Sequence, residues 1–148
     1  MLIDFLTNKA FWTSAFAFLI AQAIKFGIGY YTGKKSKLTQ FFGTGGMPSS
    51  HSATVTALAA SIGLKEGFSS SSFAVSAIFC AVVLYDATNI RRAAGNNASA
   101  INQIVEYLGT NLKETPKKLD THLGHTYFEV IAGVVLGIWL SLVSHFFL

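Results

Sequence analysis

The sequence predicts an all-α integral membrane protein, a helical bundle of about four membrane helices plus one amphipathic interfacial helix. Of the 148 residues, 51% are hydrophobic and only 12% are charged, and the mean hydropathy is +0.47. Soluble domains carry about 25% charged residues, so this composition favours a membrane protein. Long apolar runs alternate with polar stretches that hold most of the lysines and arginines. We expect a single membrane-embedded domain over residues 1–148.

The first predicted span is the apolar run Ala10–Tyr31, because a bilayer requires about 20 such residues. A signal peptide is the alternative. Asp4 in the leading segment and an apolar pattern that continues past Ala23 favour an uncleaved membrane helix. Lys25 interrupts the span, and it either extends to the lipid headgroups or faces a polar site.

The next two helices are predicted on either side of a serine-rich turn. Residues Ser52–Leu64 form a short helix rich in alanine, which suits close packing between helices. The third span covers Phe73–Ile90, and Asp86 lies near its end. A carboxylate in that position usually has a partner. Arg91 and Arg92 follow, and they either flank the span on its cytoplasmic side or grip a phosphate.

The last part of the chain predicts an amphipathic helix and a final span. Residues Ala93–Lys118 are polar overall and end near Pro116. Four apolar residues recur there at helical spacing: Ile101, Ile104, Val105 and Leu108. This helix is expected on the membrane surface or against the bundle. The final span is Tyr127–Leu148, in which Gly133 and Gly137 predict a close-packing face.

The distribution of basic residues predicts the orientation. Residues 33–46 and 91–124 together carry eight lysines and arginines, against two, Lys9 and Lys65, on the other side of the membrane. Both basic segments are therefore expected in the cytoplasm, with both termini opposite. The basic residues form no arginine-rich or aromatic-interleaved patch, so nucleic-acid binding is not expected.

Residues 45–52 carry the most informative motif, Gly-Gly-Met-Pro-Ser-Ser-His-Ser. The candidate supporting glycines, Gly45 and Gly46, let a ligand approach the backbone closely. Pro48 suits a first helical turn, and Ser49 or Ser50 can cap the helix. The N-terminus of that helix favours an anion, with which His51 can exchange a proton. A helix cap beside an incidental histidine is the competing interpretation.

A second histidine is predicted at the same membrane face. His125 and Glu129 lie four residues apart and share one side of a helix, so the carboxylate can orient the imidazole. Two histidines with nearby cations favour phosphoryl transfer, in which one histidine attacks phosphorus and the other protonates the leaving alcohol. A structural hydrogen bond is one alternative. Another is a metal site built from His122, His125, Glu129 and Asp86.

These motifs resemble those of the divergent type 2 phosphatidic acid phosphatase-related family, a bacterial and plastid group related to acid phosphatases and vanadium haloperoxidases. Residues 47–52 resemble the PSGH motif of that superfamily, and residues 124–137 resemble its HxxxD motif with the following AGxxLG helix. Residues 44–53 and 85–95 strengthen the resemblance to the divergent family. Four departures from the sequence motifs are visible: Glu129 replaces an Asp, Ser50 replaces a Gly, Leu119 replaces an Arg, and the KxxxxxxRP motif is absent.

The resemblance implies a metal-independent hydrolase without a cofactor. His125 would form a phosphohistidine, Glu129 would orient it and His51 would be the general acid. The residues expected to bind phosphate are Ser49, Ser50, Lys25, Arg91 and Arg92. The substrate would be a membrane lipid phosphate, a polyprenyl phosphate or another small phosphorylated compound, in a bacterial cell membrane or a plastid membrane. The basic loops predict a site on the cytoplasmic or stromal side, which differs from the usual outward-facing lipid phosphatase site. The alternative is a non-catalytic protein that binds or moves a phosphorylated lipid. Self-association into a homo-oligomer is also expected, because a small bundle has little interior.

Overall fold

The computed structural model describes residues 6–32, 46–108, 118–121 and 124–147, and these residues form an all-α bundle without strands. The helices are α1 (Lys9–Tyr31), α2 (Ser50–Glu66), α3 (Ser71–Tyr85), a π-helical segment (Asp86–Ile90), α4 (Arg91–Leu108) and α5 (Tyr127–Phe147). The predicted fold class is confirmed. Most of the basic loop at 33–46 and the expected helix end at Pro116 lie outside the described residues.

Helix α2 is the centre of the bundle, and α1, α3 and α5 pack around it. Small residues make this close approach feasible. Four alanines, two from α1 and two from α2, form a core with no exposed surface: Ala17, Ala21, Ala53 and Ala57. A Cβ atom on Gly133 would collide with the Ser49 carbonyl, and one on Gly137 would collide with the Ala53 carbonyl. The predicted close-packing face of the last helix therefore lies directly on the backbone of α2.

Among the described residues, three helices are long and apolar enough to cross a membrane: α1, the continuous helix Ser71–Leu108, and α5. Helix α2 has 17 residues, fewer than the typical span, and lies among these helices. The third predicted span and the amphipathic helix are joined, because the π-helical segment carries α3 into α4 without a break. Two side chains bond to carbonyls at this junction: Thr88 Oγ1 to Leu84 O at 3.0 Å and Asn89 Nδ2 to Tyr85 O at 3.2 Å.

The apolar face of α4 is exposed in the bundle. Only Gly95 and Ala98 are buried in this helix, whereas Ile101, Ile104 and Leu108 are about half exposed. The amphipathic helix was expected either on the membrane surface or against the bundle. In the described residues, its apolar face does not pack against the bundle.

The helix directions bring particular chain segments together at each end of the bundle. At one end, the start of α1 meets the end of α5, where Thr13 Oγ1 donates to Ser144 Oγ at 2.8 Å. At the other end lie the start of α2, the end of α3 and the segment that precedes α5. This second end holds both histidines of the sequence motifs.

Candidate active site

The start of α2 is fixed by a buried serine cap. Ser49 Oγ accepts from the Ser52 N–H at 3.4 Å and from the Ser52 hydroxyl at 2.9 Å. The Ser49 N–H donates to the Glu129 carbonyl at 2.9 Å, which ties α2 to the first turn of α5. Pro48 precedes this cap, so its predicted place in the first helical turn is wrong. His51 becomes the second residue of α2.

The start of α5 is a capping box that also holds His125. Thr126 Oγ1 accepts from the Glu129 N–H at 3.4 Å, and Glu129 Oε2 accepts from the Thr126 N–H at 2.8 Å. The same Oε2 lies 3.3 Å from His125 Nδ1. Because a carboxylate accepts hydrogen bonds, this contact favours the tautomer with the proton on Nδ1 and the lone pair on Nε2.

The backbone around His125 is held against the π-helical segment. The His125 N–H donates to the Ala87 carbonyl at 3.0 Å. Gly124 has φ +90°, which favours glycine, and a Cβ atom there would collide with the backbone of Arg91 and Arg92. His125 is only 7% exposed. Its position therefore depends on a close approach between two distant parts of the chain.

Burial lowers the pKa of His125 below its ordinary value of 6.5, against the opposing effect of the Glu129 carboxylate and its hydrogen bond. The positive charges of Lys25 and Arg91 lower the pKa further. A lowered pKa favours the neutral imidazole at neutral pH, which is the form that can act as a nucleophile.

Both motif histidines line one small cavity of about 40 Å³, here called the histidine cavity. Seven residues line it: His51, Val83, Asp86, Ala87, Arg91, Gly124 and His125. The volume holds roughly three water-sized atoms, comparable to the oxygens of a phosphoryl group. His51 reaches this space from the first turn of α2, and His125 reaches it from the segment that precedes α5.

The candidate cations are not equivalent. Arg91 lines the cavity, and its Nε donates to Asp86 Oδ2 at 2.6 Å. Arg92 does not line it, and its guanidinium lies 5.8 Å from the centroid of the Tyr127 ring. Lys25 does not line the cavity either, but its positive charge interacts with the Glu129 carboxylate.

Comparison with known proteins agrees with these motifs. The model of the Divergent PAP2 family matches residues 6–140. The chain belongs to the Divergent PAP2 family. It is also 41% identical to the uncharacterized membrane protein YuiD of Bacillus subtilis (strain 168), over 98% of this chain and 99% of that protein. No solved structure gives a significant match.

Not every predicted site residue of this Divergent PAP2 member reaches the histidine cavity. Ser49 and Ser50 are buried, with 0% and 2% exposure, and neither lines it. Gly46 has φ +88° and packs against the Lys25 stem, also away from the lining. Gly45 lies outside the described residues.

Sequence reasoning missed two contributors to the site. Thr126 completes the capping box, and the Thr-x-x-Glu pattern of residues 126–129 is a recognised signal of that motif. The Ala87 carbonyl receives the His125 N–H, which no sequence pattern indicates. Within the described part of the chain, no group of three or more His, Cys, Asp or Glu side chains could hold a metal ion. His122 of the alternative metal site lies outside that part.

Proposed function

We propose that the protein is a membrane phosphatase that hydrolyses a lipid or polyprenyl phosphate through a phosphohistidine on His125. One observation carries this proposal: His51 and His125 line the same cavity, and Glu129 holds Nδ1 of His125 so that Nε2 keeps its lone pair. Membership of the Divergent PAP2 family supports the same chemistry.

The reaction has two steps. In the first, His125 Nε2 attacks phosphorus, the P–O bond to the lipid alcohol breaks, and protonated His51 gives its proton to the leaving oxygen. Burial and the charge of Arg91 lower the pKa of His51, and the negative charge of the bound phosphate opposes this effect and favours the protonated imidazole. In the second, neutral His51 takes a proton from water, which attacks phosphorus and breaks the P–N bond to release phosphate. Arg91 stabilises the charge on the equatorial oxygens, and Lys25 adds a second positive charge nearby. Glu129 stabilises the imidazolium of the intermediate.

The dimensions of the site favour a substrate with only its phosphoryl group inside. The histidine cavity holds a group of about 40 Å³, and it lies at one end of apolar membrane helices. An amphiphilic substrate can therefore keep its tail in the lipid while its headgroup enters the cavity. The excess of basic residues at this end supports a cytoplasmic or stromal site. The Bacillus subtilis relative supports a bacterial cell membrane.

The Arg91–Asp86 ion pair favours a second candidate function, binding of a phosphorylated lipid without hydrolysis. Asp86 also lines the cavity, and its carboxylate repels a phosphate. The same carboxylate forms an ion pair with the Arg91 guanidinium, which is then less available to a phosphate. A site with this repulsion can hold an anion and still lack the charge stabilisation that hydrolysis needs.

The deciding experiment measures phosphate release by purified protein in detergent from phosphatidic acid, polyprenyl phosphate and polyprenyl diphosphate, with and without a chelator. We expect hydrolysis by the wild type and its loss in His125→Ala and His51→Ala. His145→Ala, at the opposite end of the bundle, is the matched control and should retain activity. Undiminished hydrolysis in the double variant His51→Ala/His125→Ala contradicts the proposal. Stabilisation of the wild type by vanadate without turnover of any substrate supports the binding function instead.

A further inference from the structure

The end of the bundle opposite the histidine cavity contains a second, unassigned pair of cavities. A polar cavity of about 350 Å³ lies among the start of α1, the end of α2 and the end of α5. An apolar groove of about 590 Å³ runs beside it between α1 and α5. The two spaces share Lys9, Thr13 and Ser144 in their walls. They therefore form one continuous surface with a polar part and an apolar part.

The polar cavity is positively charged. Lys9 and Lys65 supply this charge, and among the described residues neither cavity is lined by an Asp or Glu. Within the described ranges, neither lysine forms an ion pair. Lys65 lies in the last turn of α2, where the helix dipole favours a cation. Lys9 is the first residue of α1, where the positive end of the helix dipole is unfavourable for a cation. A bound anion would offset this repulsion.

The floor of the polar cavity consists of hydroxyl groups. Thr13 Oγ1 donates to Ser144 Oγ at 2.8 Å, and Ser61 Oγ donates to Ser141 Oγ at 3.2 Å. Thr13 and Ser141 are buried, with 7% and 1% exposure. The Ser141 hydroxyl donates in turn to the Ala57 and Gly137 carbonyls at 2.9 Å, so among these four hydroxyls that of Ser144 is the one left to donate to a ligand oxygen.

The apolar groove extends from the polar cavity along the surface of α1 and α5. Phe16, Ile20, Leu140 and Val143 line it, and Trp12 borders it near the start of α1. Phe16 is 56% exposed. This groove matches a hydrocarbon chain, and a membrane helix offers it directly to the lipid.

We propose that these two spaces form a binding site for one anionic phospholipid, with its phosphate beside Lys9 and Lys65 and an acyl chain in the groove. A free phosphate ion would account for the lysines but leave the groove unexplained. A zwitterionic lipid would fill the groove but leave the excess positive charge unbalanced. The site lies in the membrane leaflet opposite the histidine cavity, so it does not depend on the proposed phosphatase.

Native mass spectrometry of the detergent-purified full chain tests the proposal. The protein is titrated with dioleoyl phosphatidylglycerol or dioleoyl phosphatidylcholine, and the retained lipid is counted. We expect the wild type to retain phosphatidylglycerol in preference to phosphatidylcholine. Lys9→Gln and Lys65→Gln should each weaken the affinity for phosphatidylglycerol about fivefold, since a surface lysine contributes about 1 kcal/mol to the attraction of anionic lipid. Both lysines are exposed, so these variants should fold. Lys118→Gln removes an exposed lysine outside both cavities and should bind like the wild type.

A second variant and a second ligand separate the alternatives. Val143→Trp fills the groove without a change of charge and should also weaken phosphatidylglycerol retention. Inorganic phosphate alone should change the thermal unfolding temperature of the wild type and of Lys9→Gln/Lys65→Gln by the same amount, because phosphate bound in the histidine cavity affects both proteins equally. Equal retention of the two lipids, equal lipid binding by Lys9→Gln/Lys65→Gln and the wild type, unchanged retention in Val143→Trp, or stabilisation by inorganic phosphate that is lost in the double lysine variant would each overturn the proposal.

Discussion

Glu129 uses one oxygen both to hold His125 and to cap α5. Its Oε2 lies 3.3 Å from His125 Nδ1 and accepts from the Thr126 N–H at 2.8 Å. Glu or Gln at the third helical position is the residue type of a capping box, because its length lets it reach back to the cap. This geometry gives a physical reason for Glu129 where the related HxxxD motif has an aspartate.

The two roles of Glu129 can be separated by substitution. Glu129→Gln keeps the length needed for the capping box but removes the carboxylate that holds the proton on Nδ1. We expect thermal stability within about 1 kcal/mol of the wild type and a loss of phosphate release of about 10²-fold to 10⁴-fold. Glu129→Asp keeps the charge but shortens the reach, so it should lose about 1 kcal/mol of helix capping. Wild-type activity in Glu129→Gln would show that the carboxylate does not orient the nucleophile.

The pH dependence of stability should report the burial of His125. Its pKa is lowered in the folded protein, first by burial, whereas the unfolded chain has the ordinary value of 6.5. The unfolded state therefore binds more protons below about pH 6.5, and stability falls as the pH decreases through that value. Above it, the stabilising contribution of the neutral imidazole is complete.

Thermal unfolding between pH 8 and pH 5 in one detergent measures this effect. We expect the wild type to lose more stability on acidification than His125→Asn, which removes the titrating group but keeps a polar side chain. Besides burial, the positive charge of His125 lowers the pKa of His51, so the same comparison is repeated in the His51→Ala background, which removes this coupling. Parallel unfolding profiles for the two proteins would mean that the folded-state pKa of His125 is not lowered.

Gly124 should be required for the placement of His125. Its φ is +90°, and a Cβ atom would collide with the backbone of Arg92. Gly124→Ala should therefore displace His125 and reduce phosphate release, while the protein still inserts into the membrane. Gly29→Ala is the matched control, since a Cβ atom at Gly29 has no neighbour within 4 Å. Phosphate release by the two variants, normalised to folded protein, gives the comparison, and equal activities would exclude this positioning role.

Helix packing against α2 should depend on Gly137. A Cβ atom there would lie 2.5 Å from the Ala53 carbonyl oxygen, so Gly137→Leu forces α5 away from α2. Overpacking of this kind costs about 1–3 kcal/mol. The control Val135→Leu changes a residue of the same helix that is 61% exposed and should stay within about 0.5 kcal/mol. Thermal unfolding of both variants measures the difference, and a Gly137→Leu protein as stable as the control would contradict the packing.

The sequence was sufficient to predict which helix ends meet, but not their register. His51 lies at the start of α2, and His125 directly precedes α5. Both helices start from the same side of the membrane, so counting the spans was enough to bring the two histidines together. The π-helical segment at 86–90 was not predictable, because the Ala87 carbonyl is bonded by the N–H of His125, a residue far along the chain. A π-helical turn contains one residue more than an α-helical turn. This extra residue rotates the side chains that follow it around the helix axis by about 100°. This rotation determines which of Arg91 and Arg92 faces the cavity.

The two arginines therefore give the last prediction. Arg91 lines the histidine cavity, whereas Arg92 lies over the Tyr127 ring outside it. If Arg91 stabilises the transferred phosphoryl group, Arg91→Ala should lower kcat/KM by about 10²-fold to 10³-fold, as expected for removal of one donor to a developing charge. Arg92→Ala loses an exposed cation–π contact worth about 0.5–1 kcal/mol and should leave kcat/KM nearly unchanged.

The ion pair with Asp86 makes the Arg91 test more specific. Arg91→Ala leaves the Asp86 carboxylate in the cavity without its partner at 2.6 Å, so repulsion of the phosphate adds to the loss of the guanidinium. The double variant Asp86→Asn/Arg91→Ala removes that repulsion and should recover part of the activity, mainly through a lower KM. If Arg92→Ala is the more damaging single variant, the phosphate is held outside the histidine cavity and the register of the π-helical segment must differ in the functional protein.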